Sequence, residues 1–267
     1  MRFSQANWLG CRQKMAYDTR LSSSEPSKRL VSELEQGRKI ADDAEAVWGY
    51  GSPAGILRAD RRAVLHIKYG QINSSSYVLE VGCGTGGITR RVAPTGARIM
   101  ATDLTLELIT RARRVASFSN VIFQVANAEE LPFGSEEFDV VFGNAILHHL
   151  NFIKALDEFR RVLKSGGRIV FTEPNMLNPQ IALQKNWGWL KKKLSDTPEE
   201  SAFLAWQVRR LLRAQGYTDV SVFPFDFLHP AIPKAFTMSV QKLGNFLEKV
   251  PLLRQIAGSL LIVGSKA

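Results

Sequence analysis

The segment Val78-Leu79-Glu80-Val81-Gly82-Cys83-Gly84-Thr85-Gly86-Gly87 leaves the chain few choices of fold. A short apolar strand ends on a carboxylate and runs into four glycines within six residues. A sharp strand-to-helix turn visits positive φ, and a side chain there would hold a ligand away from the backbone. Ile88, Val92 and Ala93 then return at helical spacing, so a helix is expected near 86–93, with its N-terminal N–H groups facing the loop. Thr85 is either the N-cap of that helix or a hydroxyl contact within the loop. Such a turn commits the chain to an α/β architecture with a nucleotide-type cofactor over it.

Two cofactor classes fit the glycines. Gly82, Gly84 and Gly87 satisfy G-x-G-x-x-G, and Asp103 ends the next strand about twenty residues on, as a dinucleotide site requires. Glu80 decides between them. A carboxylate just before the loop repels a pyrophosphate but attracts an ammonium or a sulfonium. S-adenosyl-L-methionine carries both cations and no phosphate, so it is the cofactor expected here.

The sequence V-L-E-V-G-C-G-T-G resembles motif I of the class I S-adenosyl-L-methionine-dependent methyltransferases, of the type-11 kind. Further segments follow in the right order. Arg98 to Asp103 is similar to their second strand, whose last acid holds the ribose hydroxyls. Asn127-Ala128-Glu129-Glu130-Leu131-Pro132-Phe133 resembles their D-A-x-x-L-P-F segment over the adenine. Phe138 to Phe142 with Leu147-His148-His149-Leu150 resembles the fourth strand and its turn. Leu163-Lys164-Ser165-Gly166-Gly167 with Arg168 to Phe171 resembles the L-K-P-G-G turn and fifth strand. The match covers roughly residues 72 to 225. It implies a cofactor site of Glu80, Gly82, Cys83, Gly84, Thr85, Gly86, Asp103, Leu104, Asn127, Ala128, Glu129 and Asn144, with no metal. Asn127 departs from the usual Asp, which leaves its adenine contact uncharged; Ser165 replaces Pro, which affects turn stiffness only.

Organisation follows. Residues 1–26 are polar and Ser-rich and read as a loosely ordered arm. Residues 27–71 read as a helical cap, with one amphipathic helix over 28–47 weakened by Gly37, a loop marked by Gly49, Gly51, Pro53 and Gly55, and a second helix from Arg61 to Tyr69. Residues 72–267 read as the methyltransferase domain. Strands near 77–81, 98–102, 121–125, 138–143 and 168–173 alternate with helices near 106–117 and 151–163, which implies a doubly wound, Rossmann-like parallel sheet. A helix near 200–215 stops at Gly216, and strands near 218–225 and 259–264 complete seven. The resemblance implies that the last strand is antiparallel. Insertions at about 174–200 and 227–257 fall where acceptors bind, and the apolar stripe of the second (Phe236, Met238, Val240, Leu243, Phe246, Leu247, Val250) reads, like Trp48, as a wall of that pocket.

Cys11 and Cys83 form neither a disulfide framework nor a metal spacing, and no apolar run reaches the ~18 residues of a membrane span. Arg12, Lys14, Asp18 and Arg20 interrupt any leader. A cytoplasmic enzyme is expected. The net charge of +10 fits a solvated basic surface, or an anionic partner such as a nucleic acid or a membrane touched peripherally.

Catalytic candidates cluster after strands four and five. His148 and His149 follow Asn144, where the activated methyl group is expected, and either suits the removal of a proton from an acceptor. Glu173 closes strand five, either facing the acceptor or capping the turn. Trp48 and Tyr50 with Arg58, Arg61 and Arg62 suit an anionic or aromatic acceptor. The preferred reading is methyl transfer to a small-molecule or lipid-linked acceptor. A nucleic-acid methyltransferase is disfavoured because Asn144-Ala145-Ile146-Leu147 is not the N/D-P-P-aromatic motif of adenine-N6 enzymes, and no cysteine lies near strand four. A nicotinamide oxidoreductase is disfavoured by Glu80. A non-catalytic relative that keeps the cradle for binding alone is disfavoured by the intact motifs.

Overall fold

The computed structural model describes residues 27–186 and 202–267; the arm at 1–26 with Cys11, and Lys191-Lys192-Lys193, lie outside them. Among the described residues seven strands form one sheet in the order β3, β2, β1, β4, β5, β7, β6. They are β1 (Tyr77–Val81), β2 (Arg98–Asp103), β3 (Val121–Val125), β4 (Phe138–Asn144), β5 (Leu163–Pro174), β6 (Tyr217–Phe225) and β7 (Ser259–Lys266). The first five pair in parallel, and β7 runs antiparallel between β5 and β6. The expected Rossmann-like sheet with a reversed last strand is therefore present.

Both faces of the sheet are covered, which explains the near-continuous apolar strands. Alternate residues feed opposite cores. Leu79, Val81, Val141 and Phe171 pack with α6 (Phe152–Val162) and α8 (Ala205–Ala214). Val78, Ile99, Val140 and Phe142 pack against α3 (Pro53–Gly70) and α5 (Leu106–Val115). Each buried Leu, Val or Phe contributes roughly 1.5–3 kcal/mol, so the sheet is held by apolar burial.

Several local expectations change. The helix after the glycine loop, α4 (Thr89–Val92), is one turn long, and residue 88 holds its N-cap position without a side-chain bond. Thr85 is therefore not the cap. Gly82, Gly84 and Gly86 all adopt positive φ, which prolongs the turn, and Pro94 sits in a 3-10 turn that follows. The helix expected over 28–47 breaks into α1 (Lys28–Ile40) and α2 (Ala44–Val47). Arg111, on α5, donates to the carbonyls of Ala41 and Asp42 that the break releases. Pro53, read as a loop marker, is the first residue of α3; Ser52 Oγ accepts from Gly55 N at 3.0 Å, and proline suits that position. β5 begins earlier than expected, through a register shift opposite β4 in which Gly166 has φ 76°. Gly216, at φ 78°, ends α8 as expected.

The connection after β5 carries α7 (Pro179–Asn186), and the one between β6 and β7 carries α9 (Lys234–Leu247) and α10 (Pro251–Arg254). Among the described residues no helix is long and apolar enough to cross a membrane.

Candidate active site

The order of strands reverses between β1 and β4, and ligands of open α/β sheets bind beyond the carboxyl ends of strands at such a point. A cavity of about 520 Å³ lies there. The glycine loop lies on one side, and α1 to α3, α7 and the β6–β7 connection supply the others. Each expected cofactor-binding and catalytic residue borders this cavity except Gly86, which packs on the end of α5 near Ala112 and Ala116; among the expected acceptor residues Arg61 and Phe236 do not border it.

The loop is fixed by its strand-end acids. Cys83 N donates to Thr102 O at 2.9 Å, and Gly84 N donates to Asp103 Oδ2 at 2.8 Å. Asp103 Oδ1 accepts from Thr105 N at 3.0 Å. Burial raises the Asp103 pKa, and these N–H groups oppose the rise. Glu80 is 2% exposed and accepts from Thr89 Oγ1 at 2.6 Å. Burial, with a smaller push from Asp103, raises its pKa to about 8, against the bond from Thr89. A buried carboxyl of this kind favours a cation beside it. Burial also pushes the Cys83 thiol well up, with Asp103 and Glu80 adding to the effect, which disfavours its thiolate.

The cap rests directly on the loop. A Cβ on Gly84 would lie 2.8 Å from the Trp48 ring, and one on Gly37 would lie 2.2 Å from Thr105 Oγ1. Gly37, read as a weakness of α1, is where that helix packs closely against Thr105 at the start of α5. Polar contacts add to this: Arg29 pairs with Glu129 and Arg38 with Glu107 at 3.5 Å, and Glu33 lies 2.9 Å from His149 Nδ1. Beneath them Asn127 Oδ1 accepts from Glu129 N at 3.0 Å, which holds the 127–130 turn.

The far end of β4 joins cap and sheet. Asn144 Oδ1 accepts from Thr172 Oγ1 at 2.7 Å, and its amide donates to the Tyr50 hydroxyl. Glu173 is 1% exposed, and both its oxygens are engaged. Oε1 accepts from the N–H groups of Ile146 and Leu147 at 2.9 and 2.8 Å, and Oε2 lies 2.7 Å from His148 Nδ1. Glu173 thus shapes the turn and orients His148 rather than reaching toward an acceptor. That contact selects the tautomer with the proton on Nδ1, leaving Nε2 as the basic nitrogen. His149, its ring 4.2 Å from that of His148, points its Nδ1 at the cap instead.

One cluster was only half visible in the sequence. Arg58 Nε donates to Asp226 Oδ2 at 2.8 Å, and Arg62 Nη2 donates to Ser259 Oγ at 2.8 Å and lies 3.4 Å from Asp226. Arg62 Nε is buried with no hydrogen-bond partner among the described residues. Burial and then Arg62 lower the Arg58 pKa, while Arg58 and Arg62 hold Asp226 below its ordinary value in spite of its burial. Two guanidiniums thus face one carboxylate at the cavity wall, an excess of one positive charge. Asp226 lies some 160 residues from the arginines, and its only sequence signal is an acid just past a strand. Arg61 turns away to Glu248, and Phe236 is 62% exposed outside the cavity lining. Trp48 lines the cavity as expected, but on the glycine loop; Phe236 does not line it. Among the described residues no cluster could hold a metal ion.

Residues 79–171 match a family model described as a methyltransferase domain. The demethylmenaquinone methyltransferase of Thermobifida fusca is 30% identical over 185 residues, 61% of this chain and 78% of that protein. The malonyl-[acyl-carrier protein] O-methyltransferase of Hamiltonella defensa subsp. Acyrthosiphon pisum is 29% identical over 133 residues, and the chain spans 49% of its length. A Haemonchus contortus phosphoethanolamine N-methyltransferase 2, solved with phosphomonomethylethanolamine and S-adenosylhomocysteine, has the same fold, with a TM-score of 0.61 at 17% identity over 91% of this chain and 60% of that one.

Proposed function

We propose, from the premise that this chain belongs to the class I S-adenosyl-L-methionine-dependent methyltransferases, that it methylates a small-molecule or lipid-linked acceptor in the cavity beneath its cap. The observation that carries the reading is the sharing of one cavity by Glu80 and Asp103, His148 with Glu173, and the Arg58–Arg62 pair. The first two fit the cofactor: a buried carboxyl that favours a cation, and a strand-end acid beside a loop where a Cβ would strike Trp48. When bound, S-adenosylmethionine supplies a methyl group activated by its sulfonium. Glu80 would hold the ammonium side, Asp103 would accept from the ribose hydroxyls, and Leu104, Asn127, Ala128 and Glu129 would surround the adenine. Asn144 holds the middle of the cavity through Tyr50 and Thr172.

Alignment supplies much of the acceleration in an in-line displacement. His148, positioned by Glu173, would take the acceptor's proton on Nε2 while the acceptor's lone pair replaces the methyl carbon's bond to sulfur. Arg58 and Arg62 favour an acceptor with an anionic group, because their charge exceeds that of Asp226. Residues 27–71 act as a cap on a methyltransferase domain at 72–267, working in the cytoplasm. The test is incubation with methyl-labelled S-adenosylmethionine and fractionated cell extract. Label in the lipid or polar small-molecule fraction supports the reading; label confined to RNA, DNA or protein overturns it.

A further inference from the structure

Helix α9 is oriented the wrong way round for a helix of a water-soluble domain. At about 100° per residue, Thr237, Gln241, Gly244 and Glu248 share one side, and Phe236, Val240, Leu243 and Phe246 share another. The polar side faces the protein. Thr237 and Gly244 are buried, a Cβ on Gly244 would lie 3.1 Å from Phe227, and Glu248 accepts from Arg61 and from Asp226 N. The apolar side faces water: Phe236 is 62%, Leu243 57% and Phe246 61% exposed. The following turn, α10, adds Leu252 at 84%. A surface helix ordinarily buries its apolar stripe. Here the ion pair of Arg61 with Glu248 helps to fix the opposite choice.

Charge identifies what covers this face. Lys234, Lys242 and Lys249 are exposed on α9 and just beyond it, and none forms an ion pair among the described residues. The acid among them, Glu248, is taken by Arg61. A helix with Phe and Leu on one side and lysines beside them suits an anionic lipid interface, where it lies in the plane of the headgroups. We propose that α9 and α10 dock the protein on an anionic phospholipid surface. Phe227, Leu228, His229 and Pro230, which line the cavity, lead directly into α9, so docking brings the cavity wall against the bilayer. The proposal stands on the helix and does not require the acceptor assigned above; together they describe an acceptor that enters from lipid.

Flotation of the full chain with phosphatidylcholine vesicles, with and without about one third phosphatidylglycerol, tests it in about 0.1 M salt. The protein is expected to float with the anionic vesicles and to be released in about 0.5 M salt. The triple variant Phe236→Glu, Leu243→Glu, Phe246→Glu should lose about tenfold or more of that binding. It should keep its S-adenosylhomocysteine affinity, which shows that the domain is folded. Lys234→Glu, Lys242→Glu and Lys249→Glu together should remove the preference for anionic lipid. No flotation of the wild type overturns the proposal, as does unchanged flotation of the apolar variant. So does a wild-type dimer in light scattering that the same variant makes monomeric, since a second copy then covers the face. None of these measurements reads methyl transfer, so a failure here is separate from a failure of the proposed function.

Discussion

The two sides of the cavity are held by different forces. On the sheet side, Leu79, Val81, Val141 and Phe142 are fully buried, and the glycine loop hangs from backbone and carboxylate bonds within one rigid layer. On the cap side, the contacts are polar and reach far along the sequence: Arg29 to Glu129, Glu33 to His149, Tyr50 to Asn144, Arg58 to Asp226 and Arg61 to Glu248. Salt weakens exposed pairs such as Arg38 with Glu107 most, and the buried Arg58–Asp226 pair much less. The sheet side of the cavity therefore rests mainly on apolar burial, and the cap side mainly on polar contacts.

The largest effect that sharpens this contrast is expected at His148. His148→Ala should lower turnover about 10²–10⁴-fold at saturating substrates, with S-adenosylhomocysteine affinity unchanged by calorimetry. A loss of stability with normal turnover per folded molecule would mean that the histidine only packs. Asp103→Ala should weaken S-adenosylhomocysteine binding roughly 10–100-fold, because ribose hydroxyls and the N–H of Gly84 lose their acceptor. Unchanged affinity would place the cofactor elsewhere.

A smaller effect is expected with pH. The unliganded Glu80 titrates near 8, above the ordinary carboxyl range, so its protonated form supports the fold and that support is lost as pH rises through 8. An ammonium beside Glu80 reverses the preference, so binding should release a proton and weaken roughly tenfold between pH 7.5 and 6.5. Glu80→Gln should flatten this dependence, and a flat wild-type profile would separate Glu80 from the ammonium. The smallest change is Asn127→Asp. It restores charge at a turn whose geometry already satisfies Glu129 N, so affinity should stay equal or tighten by about threefold or less. A loss beyond about tenfold would show that the residue does not face the adenine.

The same contrast decides what the sequence revealed. The strands, the glycine loop and the two acids that end β1 and β2 were legible because each rests on a local pattern: apolar runs, glycines, a terminal carboxylate. The break between α1 and α2 was not, because the carbonyls it frees are taken by Arg111, about seventy residues away. Asp226 escaped for the same reason, since its meaning depends on Arg58 and Arg62. Glu173 was found with its task left open between acceptor and turn, because the two N–H donors that fix its Oε1 come from the turn after β4, not from its own. For α9 the periodicity was visible, yet a period says that a helix has two faces and not which one meets water. The start of α3 could have been read: Ser52 followed by Pro53 is a cap and a first residue, which the surrounding glycines disguised.

The β6–β7 connection leaves the sheet after Phe225 and returns at Ser259, and its base is closed by Gly258 N donating to Asp226 O at 2.8 Å. Along its length the segment is also tied to α3 by Arg58 and Arg61, to Ser52 through the Pro230 carbonyl, and to Asn175 and Asn178 through the carbonyls of Gln255, Ala257 and Ile256. Doubling the length of such a loop costs only about 0.6 kcal/mol in closure entropy, while β7 stays zipped between β5 and β6. An exchange of the cavity wall with the exposed helix, by mutation or by grafting, therefore has to keep these partners satisfied, while the strands on either side retain their pairing. Selection can retune what this scaffold accepts without reopening the problem of how it folds.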